Sequence, residues 1–460
     1  MGMGYDSAST GIYVITATPQ NDKDLRERLD GLTRTSKDYW SFKGNSLREH
    51  GHGLFQYPAM MVPQVARAVL LQACEVHPEI ERVGDPFVGS GTILTESLLS
   101  GLSFCGTDIN PLAVLLCRVK SGPFFPDALT EKAAELMTRI DSDTKTRVEV
   151  HFPNRDKWFR PDVQIALSKI KRAIECEERP WARRFFWVGM AEAVRLSGNS
   201  RTSTFKLHMR TASDISTRKF DAIGVFKKAI ERNLKHLRDH AECLNAAGLL
   251  NRGHYRKPVN VTLGDTRHNV QAELADIILT SPPYGDNATT VPYGQYSYLP
   301  LQWINLCDIG PDAQSEYLRT THEIDARSLG GSKKAIKGAH DQLADRSSAY
   351  KRFINRLKDM PPDREKRVTA FFRDLDACLG SILQGLRPGG LMVWTLGNRR
   401  VGGQRVPMDT ILLELLGGHQ THLICKLSRH ISSKRMAPKN NISNTMSTET
   451  ILVMRKAVSA

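Results

Sequence analysis

The sequence predicts an α/β protein: a doubly wound, mostly parallel sheet with an antiparallel terminal strand, interrupted by a mainly helical basic insert. Three observations carry this. A strand, a glycine-rich turn, a helix and a second strand follow one another between residues 80 and 109. Strand patterns with the same flanking chemistry resume at 260–265, 275–284 and 391–398, after a long helical stretch at 121–258. Charge is concentrated in that stretch: residues 151–260 hold 23 Lys/Arg against 11 Asp/Glu, in a chain whose whole net charge is +15.

Residues 1–40 are polar and weakly patterned, which predicts an N-terminal arm. VPQVARAVLLQACEVH (62–77) places apolar residues at helical spacing. ERVGDPF then reads as a short buried strand, GSGT as a tight turn, ILTESLLS as a helix and LSFCGTDI as the next strand. NVTLGD (260–265) and ADIILTSPPY (275–284) are strands with loops at their carboxyl ends. The polar stretch 310–367, containing SLGGSKKAIKG, predicts a flexible, charged insertion. A helix at about 368–386 leads through RPGG to the strand LMVWTLGN (391–398). THLICKLSRHI and ETILVMRK are two final strands able to pair antiparallel, joined by a basic polar loop, SRHISSKRMAPKNN (428–441), that either touches phosphate or is simply solvated.

The 460 residues leave room for two or three domains at ~150 residues each. Eight scattered cysteines, with no CxxC pair and no Cys/His cluster at zinc spacing, argue against a disulfide framework or structural zinc and for a reducing, cytoplasmic setting. No metal is expected. The opening MGMGYDSAST is not a signal peptide, Asp6 spoils a myristoylation pattern, and no apolar run approaches the ~20 residues of a membrane span. An excess of positive charge favours an acidic polymer as partner, although a basic solvated surface would give the same count.

Two motifs carry the chemistry. In Asp85-Pro86-Phe87-Val88-Gly89-Ser90-Gly91-Thr92 the glycines follow a strand, allow close backbone approach to a ligand and open a helix. An acid, Asp108, ends the next strand about 20 residues on, the place from which a carboxylate accepts ribose hydroxyls. The turn does not end in GKS or GKT, which disfavours a triphosphate loop. The second motif is Thr280-Ser281-Pro282-Pro283-Tyr284. Consecutive prolines stiffen the loop and remove N–H donors, so it presents acceptors. A serine, a proline carbonyl and an aromatic ring suit a planar ring bearing an exocyclic amine. In isolation the same residues read as a proline-rich turn over a core tyrosine. The aromatic run Tyr293, Gly294, Tyr296, Tyr298, Trp303 either walls the same pocket or fills a core helix.

DPFVGSGT, GTDINPLA and TSPPY in that order resemble the S-adenosylmethionine-dependent amino-methyltransferases of DNA, the N4-cytosine and N6-adenine enzymes with a Rossmann-like sheet. HGLFQYPAMMVP (52–63) looks like the family's additional cofactor element, and LGDTR (263–267) like its acid-bearing strand end. The resemblance covers roughly 45–120, 258–305 and 370–456. It implies that Asp85, Gly89 and Gly91 line the methionine end of S-adenosylmethionine, with Pro86, Phe87, Ser90 and Thr92 of the same loop also binding the cofactor, that Asp108 holds the ribose, that Asn110 and Asp265 border the adenine, and that Tyr57 and Pro58 close the methionyl side. Ser281, Pro282, Pro283 and Tyr284 would hold the target base. On this reading the chain divides into 1–120, an arm and the cofactor-binding half; 121–258, the basic insert and target-recognition region; and 259–460, the catalytic half with its insertion at 310–367. A second insert after the catalytic loop departs from the usual arrangement.

The implied reaction is methyl transfer to an exocyclic amine of a base flipped out of DNA, with cytosine N4 favoured because Ser281 stands where adenine enzymes commonly carry Asp or Asn. Arg195, Arg201, Lys206 and Arg210 are the expected nucleic-acid contacts. A separate cognate restriction endonuclease, or a defence-system subunit, is the protein partner such a role would bring, and a nucleoid-associated location follows for a prokaryotic chain. Adenine N6, guanine N2 of RNA, and a catalytically silent nucleic-acid-binding protein on the same scaffold are the alternatives.

Overall fold

A computed structural model describes residues 19–36, 38–269, 274–334, 336–431 and 446–458. Seven strands form its central sheet: β1 (Arg82–Asp85), β2 (Ser103–Asp108), β3 (Val259–Leu263), β4 (Ala275–Thr280), β5 (Leu386–Gly397), β6 (Thr421–His430) and β7 (Thr448–Lys456). Their spatial order is β6-β7-β5-β4-β1-β2-β3. Neighbours pair parallel except β7, which is antiparallel to both β5 and β6. The expected antiparallel strand is therefore the last in the chain, but it inserts between two others. Chain order reverses between β1 and β4, which opens a crevice at their carboxyl ends.

Alternation along the strands sorts their side chains between two apolar layers. Ile277, Leu279, Leu391, Val393, Ile451 and Val453 join one core with the helices Pro63–Val76, Thr92–Leu99 and Pro111–Lys120. Ile278, Met392, Trp394, Leu452 and Met454 join the other, with the helices Pro362–Gln384 and Met408–Gly417. Both faces of β4 are thus covered, and its apolar run is the one expected of a central parallel strand. Its single acid, Asp276, is fully buried, accepts from the amides of Glu81 and Arg82 at 2.8 Å each, and pairs with Arg387 at 2.8 Å. That fixes where β1 begins.

The insert 121–258 is helical as expected, with Pro126–Ser142, Pro161–Glu175, Pro180–Ser197 and Ala222–Ala246 as its main helices. Its apolar residues, among them Phe186, Trp187 and Phe226, share the first core with the sheet.

Two expectations are corrected. The N-terminal arm contains a helix, Pro19–Thr35, whose Leu25 and Leu29 are buried in the first core and whose Asp22 pairs with Arg455 of β7. Polar residues dominate the helix, so two leucines at i, i+4 left little pattern to read. The second correction concerns 310–367, which is not a flexible insertion. It carries the helices Glu323–Arg327, Ile336–Arg346 and Ser348–Asn355, and Tyr350, Phe353, Ile354 and Leu357 are buried in the second core. Few apolar residues do this, at the right spacing. The strand after RPGG also starts earlier than expected, at Leu386, with a register irregularity opposite Ala275–Ile277 that absorbs the glycines. Most of the basic loop 428–441 lies outside the described residues.

Candidate active site

The carboxyl ends of β1, β2, β3 and β4 converge on one cleft, the crevice that an open parallel sheet offers a ligand. Tyr57, Pro58, Asp85, Pro86, Phe87, Gly89, Ser90, Thr92, Asp108, Asn110 and Asp265 all line it, as do Ser281 and Pro283. Gly91 does not reach the cleft. It caps the helix Thr92–Leu99 at φ +74°, where a Cβ would stand 2.9 Å from Cys117 Sγ.

The glycine turn is held by the two acids it separates. Asp85 accepts from the Phe87 amide at 3.0 Å and from Thr280 Oγ1 at 2.7 Å. Asp108 accepts from the amides of Gly89 and Asn110, each at 2.8 Å. From below, Lys120 Nζ donates to the Ser90 carbonyl at 2.6 Å. Burial pushes the Asp85 carboxyl up to about 7 and Asp108 up to about 6, and burial likewise lowers the Lys120 ammonium to about 8. Besides burial, amides act on both carboxyls, and the Thr280 hydroxyl and the Asp108 charge act on Asp85; among the described residues no Lys or Arg compensates either.

The opposite walls are less free. Tyr57 stacks on Tyr293 with centroids 5.8 Å apart, and its hydroxyl accepts from Asn110 Nδ2 at 2.9 Å. Asn110 also donates to Ser297 Oγ and caps its own helix through Leu112 N, so its side chain organises the wall. Asp265 is gripped by Arg267; burial alone would raise its carboxyl, but the Arg267 bonds hold it below the usual range. Of the aromatic run, Tyr293 walls the cleft, whereas Tyr296, Tyr298 and Trp303 are core residues of the helix Tyr293–Trp303.

In the loop after β4, Ser281 and Pro283 face the cleft, while Pro282 is buried and Tyr284 turns its hydroxyl away, onto Glu449 Oε1 at 3.0 Å. A Cβ at Gly397 would strike the Tyr284 ring. The ring therefore packs on β5, and it is not part of the cleft wall as the sequence led us to expect. Further on, the loop is clamped. Asp286 pairs with Arg399 at 3.1 Å and Arg367 at 3.3 Å, and Asn287 Nδ2 donates to Asp325 Oδ1 at 2.9 Å. Asp325 and Arg367 come from the second insertion and the helix after it. These residues, with Glu449, escaped the sequence reading because nothing local pairs positions 38 to 165 residues apart; only Asp286 and Asn287, directly after TSPPYG, carried an adjacent signal.

Of the four expected nucleic-acid contacts, Arg201 and Lys206 are exposed, on a loop closed by a bridge between Ser200 and Met209. Lys206 Nζ lies 3.5 Å from the Ala288 carbonyl, and the Leu207 amide donates to Gln295 Oε1, so the loop packs on the segment whose Asn287 and Tyr293 line the cleft. Arg195 lies over the Tyr296 ring at 4.5 Å, and Arg210 is half-buried. Elsewhere in the insert, charge is used internally: Arg183 forks onto Asp308, and Arg184 donates to the Asp308 carbonyl.

The sequence has relatives among known proteins. The chain is 30% identical over 457 residues to the type II methyltransferase M.MvaI of Kocuria varians, covering 95% of this chain and 98% of that one. The chain belongs to the type II methyltransferase family. A second relative, the type II methyltransferase M.MjaII of Methanocaldococcus jannaschii, is 33% identical over 130 residues, 26% of this chain and 24% of its own. No protein-family model matches this methyltransferase. Among solved structures, the rRNA methyltransferase AviRa of Streptomyces viridochromogenes aligns over 87% of this chain and 86% of its own, at 11% identity and a TM-score of 0.32, too low to carry an argument. Among the described residues, no helix is long and apolar enough to cross a membrane.

Proposed function

We propose that the protein transfers a methyl group from S-adenosylmethionine to the exocyclic amine of a base in DNA, cytosine N4 in preference to adenine N6. One observation carries this reading: two buried carboxylates with no cationic partner among the described residues, Asp85 and Asp108, share a cleft with the acceptor-rich loop Ser281–Pro283. Uncompensated buried anions fit a cationic ligand, and the positive-φ glycine turn between them leaves room for it. When bound, that ligand supplies an electrophilic methyl on a sulfonium. Asp108, already fixed by two amides, would accept from the ribose hydroxyls; Asp85 would neutralise the methionyl end; Tyr57 and Pro58 would cover it.

The chain's own task is to localise a lone pair that the aromatic ring withdraws from the amine. Ser281 Oγ and the Pro282 carbonyl would each accept one amine N–H, favouring a pyramidal nitrogen aimed at the methyl. Positioning and fixed dipoles supply the acceleration. The target amine is buried in a duplex, so the base flips out at a cost of a few kcal/mol. Arg201 and Lys206, on the loop that packs on the segment after the catalytic loop, would hold the flanking phosphates. A separate endonuclease of matching specificity is the partner this role brings, and a cytoplasmic location goes with it.

Incubation with methyl-labelled S-adenosylmethionine and either DNA or RNA, followed by nucleoside mass spectrometry, tests the reading. N4-methylcytosine in DNA is expected. N6-methyladenine alone would overturn the base preference, 5-methylcytosine the mechanism, and label in RNA only the substrate.

A further inference from the structure

A buried hydrogen-bond chain runs behind the catalytic loop, and each of its links has a forced direction. Arg429 Nη1 of β6 pairs with Glu449 Oε2 of β7 at 2.9 Å, and the Arg429 side chain is almost fully buried. Glu449 Oε1 takes the Tyr284 hydroxyl at 3.0 Å, and that hydroxyl lies 3.2 Å from Ser281 Oγ. A carboxylate facing a guanidinium has no proton to give, so Glu449 accepts on both oxygens. Tyr284 has one hydroxyl hydrogen, and Glu449 takes it. Burial and the Glu449 charge push the Tyr284 phenol well above its ordinary value, so it stays protonated. The remaining contact can form only with Ser281 as donor. The Ser281 hydrogen then points at Tyr284, and its lone pairs are left for the cleft that Ser281 lines.

We propose that the Arg429–Glu449 pair on the two last strands is a positioning device that fixes Ser281 as an acceptor and so selects a base presenting an amine over one presenting an oxygen at the same place. Cytosine, with N4–H₂, meets a complementary group. Thymine or uracil, with O4, meets two acceptors face to face, and a site built for a donor rejects the group lacking it by a large factor. This rests on the amine-methylation reading above. It assigns no proton transfer to the chain; the polarity is static.

Glu449→Gln tests it. The carboxamide can donate to the Tyr284 oxygen, which frees Tyr284 to donate to Ser281 and turns the serine hydrogen into the cleft. In the otherwise native enzyme, kcat for DNA methylation should fall at least about tenfold, equivalent to ~1.4 kcal/mol, with S-adenosylmethionine affinity unchanged. Tyr284→Phe keeps the ring and cuts the chain, so Glu449→Gln added to it should cost nothing further. With the target left unpaired opposite an abasic site, so that flipping costs are equal, wild-type enzyme should bind DNA carrying cytosine there more tightly than the same DNA carrying uracil, and Glu449→Gln should shrink that ratio toward one. A merely structural role for Glu449 predicts equal losses in both backgrounds and an unchanged ratio, and that outcome overturns the proposal. Should Glu449→Gln not fold, Glu449→Asp combined with Tyr284→Phe gives the same cycle with the charge kept: a loss that disappears without the Tyr284 hydroxyl supports the chain, and an equal loss refutes it. Absence of amine methylation by the wild type would instead remove the parent reading.

Discussion

Lowering the pH from 8 to 5 should weaken S-adenosylmethionine binding by roughly a thousandfold. Burial holds Asp85 at about 7 and Asp108 at about 6 in the free protein. A cation binds the ionised forms, so the bound state has the lower values and affinity rises with pH until both free carboxyls have ionised. At pH 5 about 1% of a group titrating at 7 is ionised, and about 10% of one titrating at 6, which multiply to a factor of about 10³; at pH 8 both are essentially charged. The stability of the fold runs the opposite way with pH. Acids raised above their unfolded values stabilise the fold at low pH, and that contribution is lost as pH climbs from about 4 to 7. Calorimetry in two buffers of different ionisation enthalpy checks both the affinity and the proton count, which should be about 1.4 protons released at pH 6. Asp85→Asn should remove about a hundredfold of the dependence. Affinity that is flat between pH 5 and 8, with no proton released, would refute the claim that these carboxyls wait for a cation.

Three further outcomes follow from the packing. Phe353→Ala should cost about 3–5 kcal/mol in urea unfolding, because the ring is buried in the second core; a loss below 1 kcal/mol would mean that the insertion is a detachable loop. Arg399→Met should cost about 3 kcal/mol and lower kcat, because it strips the main partner from Asp286 at the foot of the catalytic loop; unaltered stability and kcat would dismiss the clamp. Reversing Arg201 and Lys206 to Glu should reduce the slope of log DNA affinity against log salt by at least ~0.9 per lost phosphate contact, while Arg183→Ala, which unpairs Asp308, should lower stability and leave the slope alone.

The sheet and its ligand crevice were legible because the relevant signals are local. A strand, a positive-φ glycine turn and a helix lie within about twenty consecutive residues, and the loop after β4 follows a short apolar run interrupted only by Asp276. What was illegible depends on pairs far apart in the chain. Asp325 reads as one more charge in a polar stretch, yet it accepts from Asn287 and from the Gly294 amide and so ties the catalytic loop to the helix behind it. Tyr284 read as a ring offered to the base. Its direction is decided by Glu449 and by the missing side chain at Gly397, both on strands that no local pattern connects to it.

Net charge is the coarser signal. The excess between 151 and 260 pointed to an acidic polymer as partner, but a guanidinium counts toward a surface potential only if no fixed anion answers it nearby. Arg183 is answered by Asp308, Arg172 by Asp143 and Glu149, Arg232 by Glu192. These pairs fasten insert helices to one another or, through Asp308, to the segment after the catalytic loop, and reversing any of them would perturb DNA binding only by perturbing the fold. Arg201 and Lys206 stand apart because their loop is short, polar and pinned beside Ala288 and Gln295. A phosphate held there would be tied to the segment 287–295, which follows the catalytic loop in the chain. The consequence is that the loop's contribution should appear in kcat as well as in affinity: weakening its grip leaves the flipped base less well placed, so the Arg201 and Lys206 reversals should lower kcat at saturating DNA, and an effect confined to KM would show that the loop only gathers DNA and does not position it.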